Sequence, residues 1–268
     1  MKEIRAIVIG AAGKMGSRII HIIHETPSIS LYRAVERPDH PSIGKDIGEV
    51  IGLGKMEIPL EGDLKKAGGD VIINFTNPKT SLESLEFARE TGSAIVIGTT
   101  GLSPEQMQRV RDLSKSVRCV FTPNMSVGMN VMFRIVQEVA RVLGPEYDIE
   151  IFEAHHRLKK DSPSGTAVKL GELIAKAVGR EFGKVGVYGR KGMVGERTKE
   201  EIGMQVIRAG DIVGEHTVLF GGIGERLEII HRAHSRDNFA RGAIRAALWV
   251  VNQPSGLYDM QDVLGLTG

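Results

Sequence analysis

The chain has a single cysteine, and its 35 basic and 33 acidic side chains nearly cancel, leaving a formal charge of +2 over 268 residues. Each shortage excludes something. One cysteine leaves no disulfide framework and fits a reducing compartment; Cys119, inside the apolar run Arg118-Cys119-Val120-Phe121, reads as a small buried hydrophobe. So small a net charge, with basic and acidic residues interspersed, argues against a nucleic acid or membrane surface as partner. No apolar run approaches the length of a membrane span, and nothing near Met1 resembles a signal peptide, so a cytoplasmic protein is expected. Hydrophobic and charged fractions of 41% and 25% are ordinary for a globular chain. The length suffices for one large domain or two moderate ones, without internal repeats or low-complexity tracts.

The first feature with chemical content lies at the start. Ile4 to Ile9 is a short apolar run of the buried-strand kind, and it feeds Gly10-Ala11-Ala12-Gly13-Lys14-Met15-Gly16, after which Ile19, Ile20, Ile22 and Ile23 carry helical spacing. A strand, a glycine turn and a helix in that order suit a dinucleotide pyrophosphate: the glycines allow a tight turn and close approach of phosphate to backbone. The spacing departs from the common G-x-G-x-x-G, with Ala11 at the first glycine position and Gly10 one residue earlier. Leu31 to Val35 reads as a second strand closed by Glu36, about twenty residues past the last glycine, where a carboxylate can bond a ribose hydroxyl. Arg37 follows, and its guanidinium could hold a 2′-phosphate, so the pair suggests a site accepting both NADH and NADPH. The competing account is an exposed ion pair without consequence.

The βα rhythm continues. Strands are expected at 71–76, 94–97 and 118–121, with a helix over 79–91 and another beginning at Ser103-Pro104-Glu105-Gln106, a capping pattern. This alternation predicts an open parallel sheet with ligands beyond the carboxyl ends of its strands. Those ends carry Phe75-Thr76, Gly98-Thr99-Thr100 and Thr122-Pro123-Asn124-Met125, where the nicotinamide is expected to meet backbone and hydroxyl groups.

After Asn124 the pattern changes. A helix over 130–143 precedes a strand ending near His155, and strand-like runs follow at 201–208, 215–220 and 226–232 with no helix between them, which predicts a mixed or antiparallel sheet with one face for subunit contacts. A last helix over 239–251 is expected to return to the first domain. The expected organisation is a dinucleotide-binding domain of residues 1–126 and 238–268 and a substrate-binding and oligomerisation domain of residues 127–237.

Glu153-Ala154-His155-His156-Arg157-Leu158-Lys159-Lys160-Asp161-Ser162-Pro163-Ser164-Gly165-Thr166-Ala167 sets titratable groups before a helix start suited to an anion. Ser162 reads as N-cap with Pro163 in the first helical position, which would point the amides of Ser164, Gly165 and Thr166 outward toward a carboxylate or phosphate. His155 and His156 cannot both aim at one atom from a pleated strand, so one is expected to be catalytic and the other supporting. Either has a free pKa of about 6.5, and Lys159, at about 10.4, stays charged. A solvated basic loop is the bland alternative. Metal binding is not expected, since adjacent strand histidines diverge and the flanking cations repel a metal.

Together with Gly98-Thr-Thr-Gly101, Asn124-Met-Ser-Val-Gly128 and Arg208-Ala-Gly-Asp-Ile-Val-Gly-Glu-His216, these segments make a chain that resembles the bacterial dihydrodipicolinate reductases (4-hydroxy-tetrahydrodipicolinate reductases) over almost its whole length. Ser162, where the family often has alanine, and Thr122-Pro123 before Asn124 are departures. The resemblance implies a Rossmann-type parallel-sheet nucleotide domain plus an α+β domain with a mixed sheet, a homotetramer, and NAD(P)H-dependent reduction of a cyclic dicarboxylate on the diaminopimelate route to lysine. It also implies His155 as acid–base residue, Lys159 as second proton donor and His156 as a substrate contact beside Ser164, Gly165 and Thr166. Another Rossmann oxidoreductase acting on a small carboxylate would share the glycine turn but has no need of the His-His-Lys and Ser-Gly-Thr pairing. A non-enzymatic NAD(H) sensor has no use for clustered proton donors.

Overall fold

The computed structural model describes residues 3–64 and 68–266; the expected domain ends at 1–2 and 267–268 lie outside the described residues. In chain order the first elements are β1 (Ile4–Ile9), α1 (Lys14–His24), β2 (Ile29–Val35), α2 (Ile47–Ile51), β3 (Leu60–Glu61), β4 (Val71–Asn74), α3 (Pro78–Thr91), β5 (Ala94–Ile97), α4 (Pro104–Ser114) and β6 (Arg118–Phe121). Then come α5 (Val127–Leu143), β7 (Asp148–His155), α6 (Gly165–Ala177), α7 (Phe182–Val185), β8 (Gly186–Tyr188), β9 (Ile202–Arg208), β10 (Gly214–Gly221) and β11 (Arg226–Ala233). The chain closes with α8 (Asp237–Val250), β12 (Gly256–Tyr258) and α9 (Met260–Leu264). Two compact units result: one takes the chain up to Val127 and again from Arg236, the other is Gly128–Ser235.

In the first unit seven strands pair in parallel in the order β12-β6-β5-β4-β1-β2-β3. Successive side chains of a strand point to opposite faces, so an unbroken apolar strand must be covered on both. That happens here. Ala6 and Val8 of β1, Val71 and Ile73 of β4, and Ala94 and Val96 of β5 enter one core with Ile19, Ile20 and Ile23 of α1 and Ala243 and Ala247 of α8. Their neighbours Ile7, Ile9, Ile72, Ile95 and Ile97 enter the opposite core with Leu85 of α3 and Val110 of α4. The small residues of α8 allow close packing: a β-carbon on Gly242 would stand 1.8 Å from the Met125 carbonyl oxygen. A two-pronged ion pair joins α1 to α8, from Arg18 Nε to Asp237 Oδ1 at 2.6 Å and from Nη2 to Oδ2 at 2.8 Å. The capping pattern at Ser103 forms, with Ser103 Oγ accepting from the Gln106 amide and Gln106 Oε1 accepting from the Ser103 amide.

The second unit holds a five-stranded mixed sheet in the order β11-β10-β7-β9-β8, antiparallel across β11, β10 and β7 and parallel across β7, β9 and β8. Ile149 and Ile151 of β7, Met204 of β9, and Val218 and Phe220 of β10 pack on α5 through Met132, Phe133 and Val136 and on α6 through Leu170 and Ile174. The other face of the same sheet leaves Phe152, Ile207 and Ile230 exposed.

The glycine turn derives its shape from contact distances. Gly10 adopts φ +73°, and a β-carbon on it would meet Thr76 Cγ2 at 2.7 Å. One on Gly16 would stand 2.0 Å from the Gly10 carbonyl oxygen, so α1 starts against the turn with no room for a methyl group. Gly16→Ala should therefore lower unfolding stability by the upper part of the roughly 1–3 kcal/mol typical of overpacking. Gly165→Ala, where a β-carbon meets nothing within 4 Å, should be nearly neutral. Urea unfolding midpoints of the two variants check this, and equal midpoints would refute the packing argument.

Candidate active site

β7 carries its apolar face into a polar end. Ile149, Ile151, Glu153 and His155 alternate along one face of the strand, and all four are buried. Two residues apart on one face, Glu153 and His155 are neighbours, and His155 Nδ1 lies 2.5 Å from Glu153 Oε2. The parallel register sets Arg208 of β9 beside His155. From there Arg208 reaches both carboxylate oxygens of Glu153 at 2.8 Å, through Nη1 to Oε2 and Nη2 to Oε1. Across the antiparallel pair, His216 of β10 stands opposite Glu153. Its ring meets that of His155 edge-on, with centroids 5.3 Å apart.

The strand stops at His155, so His156 begins the loop. His156 Nδ1 is buried without a hydrogen-bond partner among the described residues. Lys159 is turned toward Asp161, Nζ to Oδ2 at 2.9 Å, and Arg208 Nη2 donates to the Asp161 carbonyl at 2.6 Å.

The helix start corrects the expected cap. Ser164, not Ser162, is the N-cap of α6, its hydroxyl accepting from the Ala167 amide at 3.2 Å. Pro163 therefore precedes the cap, and the Ser162–Pro163 peptide is cis. Nor does the Ser164 amide point outward: it donates to Glu153 Oε1 at 2.9 Å, and Ser164 is 2% exposed. The physical reason is the buried carboxylate, a stronger acceptor than any solvent molecule could be there. Gly165 and Thr166 occupy the first turn, at the positive end of the helix dipole.

Burial raises the Glu153 carboxyl, but hydrogen bonds from His155, Arg208 and the Ser164 amide outweigh it and hold it at about 2. Burial, reinforced by repulsion from a charged His155, pushes the His216 imidazole down to about 3. His216 is thus neutral across the physiological range. Its Nε2 shares a 3.2 Å hydrogen bond with Ser164 Oγ, and its Nδ1 has no partner among the described residues.

In the first unit, Gly10, Glu36 and Arg37 line one cavity of about 800 Å³ with Thr76 and Asn77. Glu36 bends over the glycine turn, Oε2 accepting from the Ala12 amide at 3.3 Å and Oε1 from the Arg37 amide at 3.0 Å. Arg37 itself pairs with Asp39 at 3.6 Å on the surface. Ala11 is buried; Gly13 is the N-cap of α1 and brings no side-chain cap, so the helix start at Lys14 and Met15 keeps its amides for another acceptor. The remaining expected contacts lie outside the cavity. Phe75 and Gly98 pack together, a β-carbon on Gly98 falling 2.1 Å from the Phe75 ring. Thr99 accepts from Ser81 Oγ at 2.7 Å, Thr122 donates to the Asn124 carbonyl at 3.2 Å, and Met125 is a core residue. Thr100 and Pro123 are exposed.

Three members of the cluster escaped the sequence reading as functional residues: Glu153, Arg208 and His216. Arg208 and His216 lie 55 and 63 residues from Glu153 in the chain, and only strand register joins them. Glu153 carried a faint signal, a carboxylate where the β7 alternation calls for an apolar residue.

A doubly covered parallel sheet with a glycine turn, joined to a second unit carrying a buried acid–base cluster, defines a two-domain nicotinamide-dependent reductase. The comparisons narrow that class. Residues 4–125 match the family model for dihydrodipicolinate reductase, N-terminus, and residues 128–264 the model for its C-terminus. A protein of Syntrophus aciditrophicus (strain SB) named 4-hydroxy-tetrahydrodipicolinate reductase is 60% identical over 264 residues, 98% of each chain. One of the same name from Geotalea uraniireducens (strain Rf4) is 54% identical over 98% of this chain and 99% of its own. Among solved structures, dipicolinate-bound dihydrodipicolinate reductase from Paenisporosarcina sp. TG-14 superposes with a TM-score of 0.74 at 25% identity, over 97% of this chain and 98% of that one. Amine dehydrogenase from Mycobacterium smegmatis, at 14% identity and a TM-score of 0.59 over 96% and 94%, shares the fold. The chain belongs to the dihydrodipicolinate reductase family.

The two shifted groups make the fold acid-labile in a defined window. His216 has a folded pKa below the unfolded value of about 6.5, so below that pH the unfolded chain binds the proton first. Its contribution is whole above about 6.5 and is lost as pH falls toward about 3. That of Glu153 is whole above its ordinary 4.5 and is lost as pH falls through about 2. Urea unfolding between pH 7 and 4 should give a wild-type stability slope steeper than that of His216→Asn by up to about 1.4 kcal/mol per pH unit. Identical slopes would contradict a neutral buried imidazole.

Proposed function

We propose that this chain reduces 4-hydroxy-tetrahydrodipicolinate, with loss of water, to tetrahydrodipicolinate, using NADH or NADPH, on the diaminopimelate route to lysine. The observation that carries the reading is the buried His155–Glu153 pair set at the start of α6, with Lys159 in the connecting loop. Similarity to reductases of that name supports the choice of substrate.

The residues of the first unit fit a dinucleotide. The Gly10-Ala11-Ala12-Gly13-Lys14-Met15-Gly16 turn has no room for a side chain at Gly10 or Gly16 and leaves a helix start without a side-chain cap, and Glu36 lines the adjoining cavity. Arg37 would meet a 2′-phosphate, and Phe75, Gly98, Thr99, Thr100, Thr122, Pro123, Asn124 and Met125 would shape the nicotinamide side. When bound, the reduced nicotinamide supplies the hydride. The chain's own residues do the rest. Lys159 exchanges Asp161 for a substrate carboxylate, and the Gly165 and Thr166 amides at the positive end of α6 hold a carboxylate as well. His156 contacts the substrate, and His155 and Lys159 supply the protons that the reduced ring requires. Ser164 supports this from beneath, through its hydrogen bonds to Glu153 and His216.

No helix of the described residues is long and apolar enough to cross a membrane; the single cysteine of the chain fits the reducing cytoplasm that this reading assigns to it. The exposed Phe152, Ile207 and Ile230 on the outer face of the mixed sheet support a homotetramer assembled through that sheet. Solution scattering or light scattering should return about four times the chain mass; a monomer mass would remove this assembly.

The activity test is loss of NADH absorbance on addition of the dihydrodipicolinate synthase product. Wild-type protein should oxidise NADH with this substrate and not with aspartate semialdehyde, and the reverse selectivity would overturn the assignment. His155→Ala and Lys159→Ala should each depress turnover by roughly a hundred- to ten-thousand-fold, the range of positioned general acid catalysis. NADH affinity should stay near wild type; an equal loss of it would reject the division of labour.

A further inference from the structure

The mechanism just described uses His155 and the α6 start as separate parts, yet one buried side chain holds both. Glu153 is 1% exposed, on a strand face otherwise committed to the core, and a lone carboxylate in such a place is costly. It is tolerated because each of its acceptor positions is filled. Oε2 receives His155 Nδ1 at 2.5 Å and Arg208 Nη1 at 2.8 Å; Oε1 receives Arg208 Nη2 at 2.8 Å and the Ser164 amide at 2.9 Å.

Arg208 alone would have neutralised the charge. The two remaining contacts go to the proposed proton donor and to the cap residue of the proposed anion-holding helix. A carboxylate accepts and does not donate when ionised, so the ring nitrogen facing it must be the one that carries hydrogen. That nitrogen is Nδ1. Glu153 itself is held ionised far below neutrality by these same donors.

The other side of the ring borders β10. A β-carbon on Gly214 of β10 would stand 3.1 Å from His155 Nε2, so any larger residue there would crowd the nitrogen. The groups around the imidazole are Glu153 on its own strand, Arg208 on β9 and His216 on β10. His216, already neutral, does not compete for the proton.

We propose that Glu153 is the positioning residue of the acid–base centre: one carboxylate orients His155 through Nδ1 and Ser164 through its amide, so that the transferable proton resides on His155 Nε2 and the helix start keeps a fixed register to it. In the step, the Nε2–H bond of the imidazolium breaks, the proton passes to the substrate, and neutral imidazole remains with its Nδ1–H still bonded to Glu153. This rests on the assignment of His155 as proton donor. It adds the tautomer, the nitrogen and the coupling to α6.

The test is 15N NMR of histidine-labelled protein, with His155→Ala assigning the resonance, together with steady-state kinetics of Glu153→Gln. In wild type the neutral form of His155 should be the Nδ1–H tautomer. Glutamine offers one acceptor oxygen where the carboxylate had two, so one of its two clients must lose its partner. Where the amide faces His155, the Nε2–H tautomer appears and kcat falls tenfold or more, a part of the roughly 10²–10⁴ that a positioned general acid supplies. Where it faces Ser164, the tautomer is kept and substrate KM rises about tenfold. NADH affinity is unchanged in both cases. A folded variant with wild-type tautomer and with kcat and KM within twofold of wild type would overturn the proposal. If the variant does not fold, the wild-type spectrum decides, because an Nε2–H neutral tautomer overturns it without any mutation. A His155→Ala protein that retained full turnover would instead remove the assignment of His155 and leave the tautomer result standing.

Discussion

The second unit is organised around an ionised carboxylate that water does not reach. Glu153 sits where the alternation of β7 calls for an aliphatic side chain, and it stays charged only because four donors converge on it. Convergence ties together four separate pieces of chain: β7 itself, β9 through Arg208, the loop through the Asp161 carbonyl that Arg208 also holds, and the cap of α6 through Ser164. Removing any one donor would leave an acceptor position of the carboxylate unfilled in a dry place. The arrangement is therefore cooperative, and such networks hold side chains more rigidly than pairwise contacts do.

The same region shows how a single sheet face can change character along its length. Near α5 and the body of α6 the face is aliphatic and closes a core. Toward the end of β7 it turns into imidazole, carboxylate and guanidinium without any break in the strand. The neutrality of His216 completes this end: two imidazoles with ring centres 5.3 Å apart repel if both are charged, and burial decides which one stays neutral.

The first unit solves a different problem. Its strands are apolar on both faces, so helices must cover both, and the resulting sheet leaves only its strand ends for ligands. Glycine at positions 10 and 16 follows from crowding between turn, strand and helix, and glycine at 13 leaves the first amides of α1 uncapped. Family membership, established over both halves of the chain, gives these features a common purpose in nicotinamide-dependent reduction.

Much of this was legible in the amino-acid order. Local periodicity is a local property, so β5 and β6 fall where their apolar runs predict, the Ser103 capping box forms as read, and the strand-only stretch after residue 200 makes a mixed sheet. Short elements such as β3, β12 and α9 were not legible, because they carry neither a period nor the unbroken apolar run that marks β5. Residue chemistry likewise marked His155, Lys159 and the Ser-Gly-Thr helix start. What only the tertiary structure decided is who partners whom. The cap moved from Ser162 to Ser164 because a carboxylate eleven residues upstream claims the Ser164 amide, and Arg208 and His216 joined the cluster through strand register. A sequence records which groups exist and how they repeat along the chain; hydrogen bonds between strands distant in sequence depend on register, which is settled only when the whole sheet is assembled.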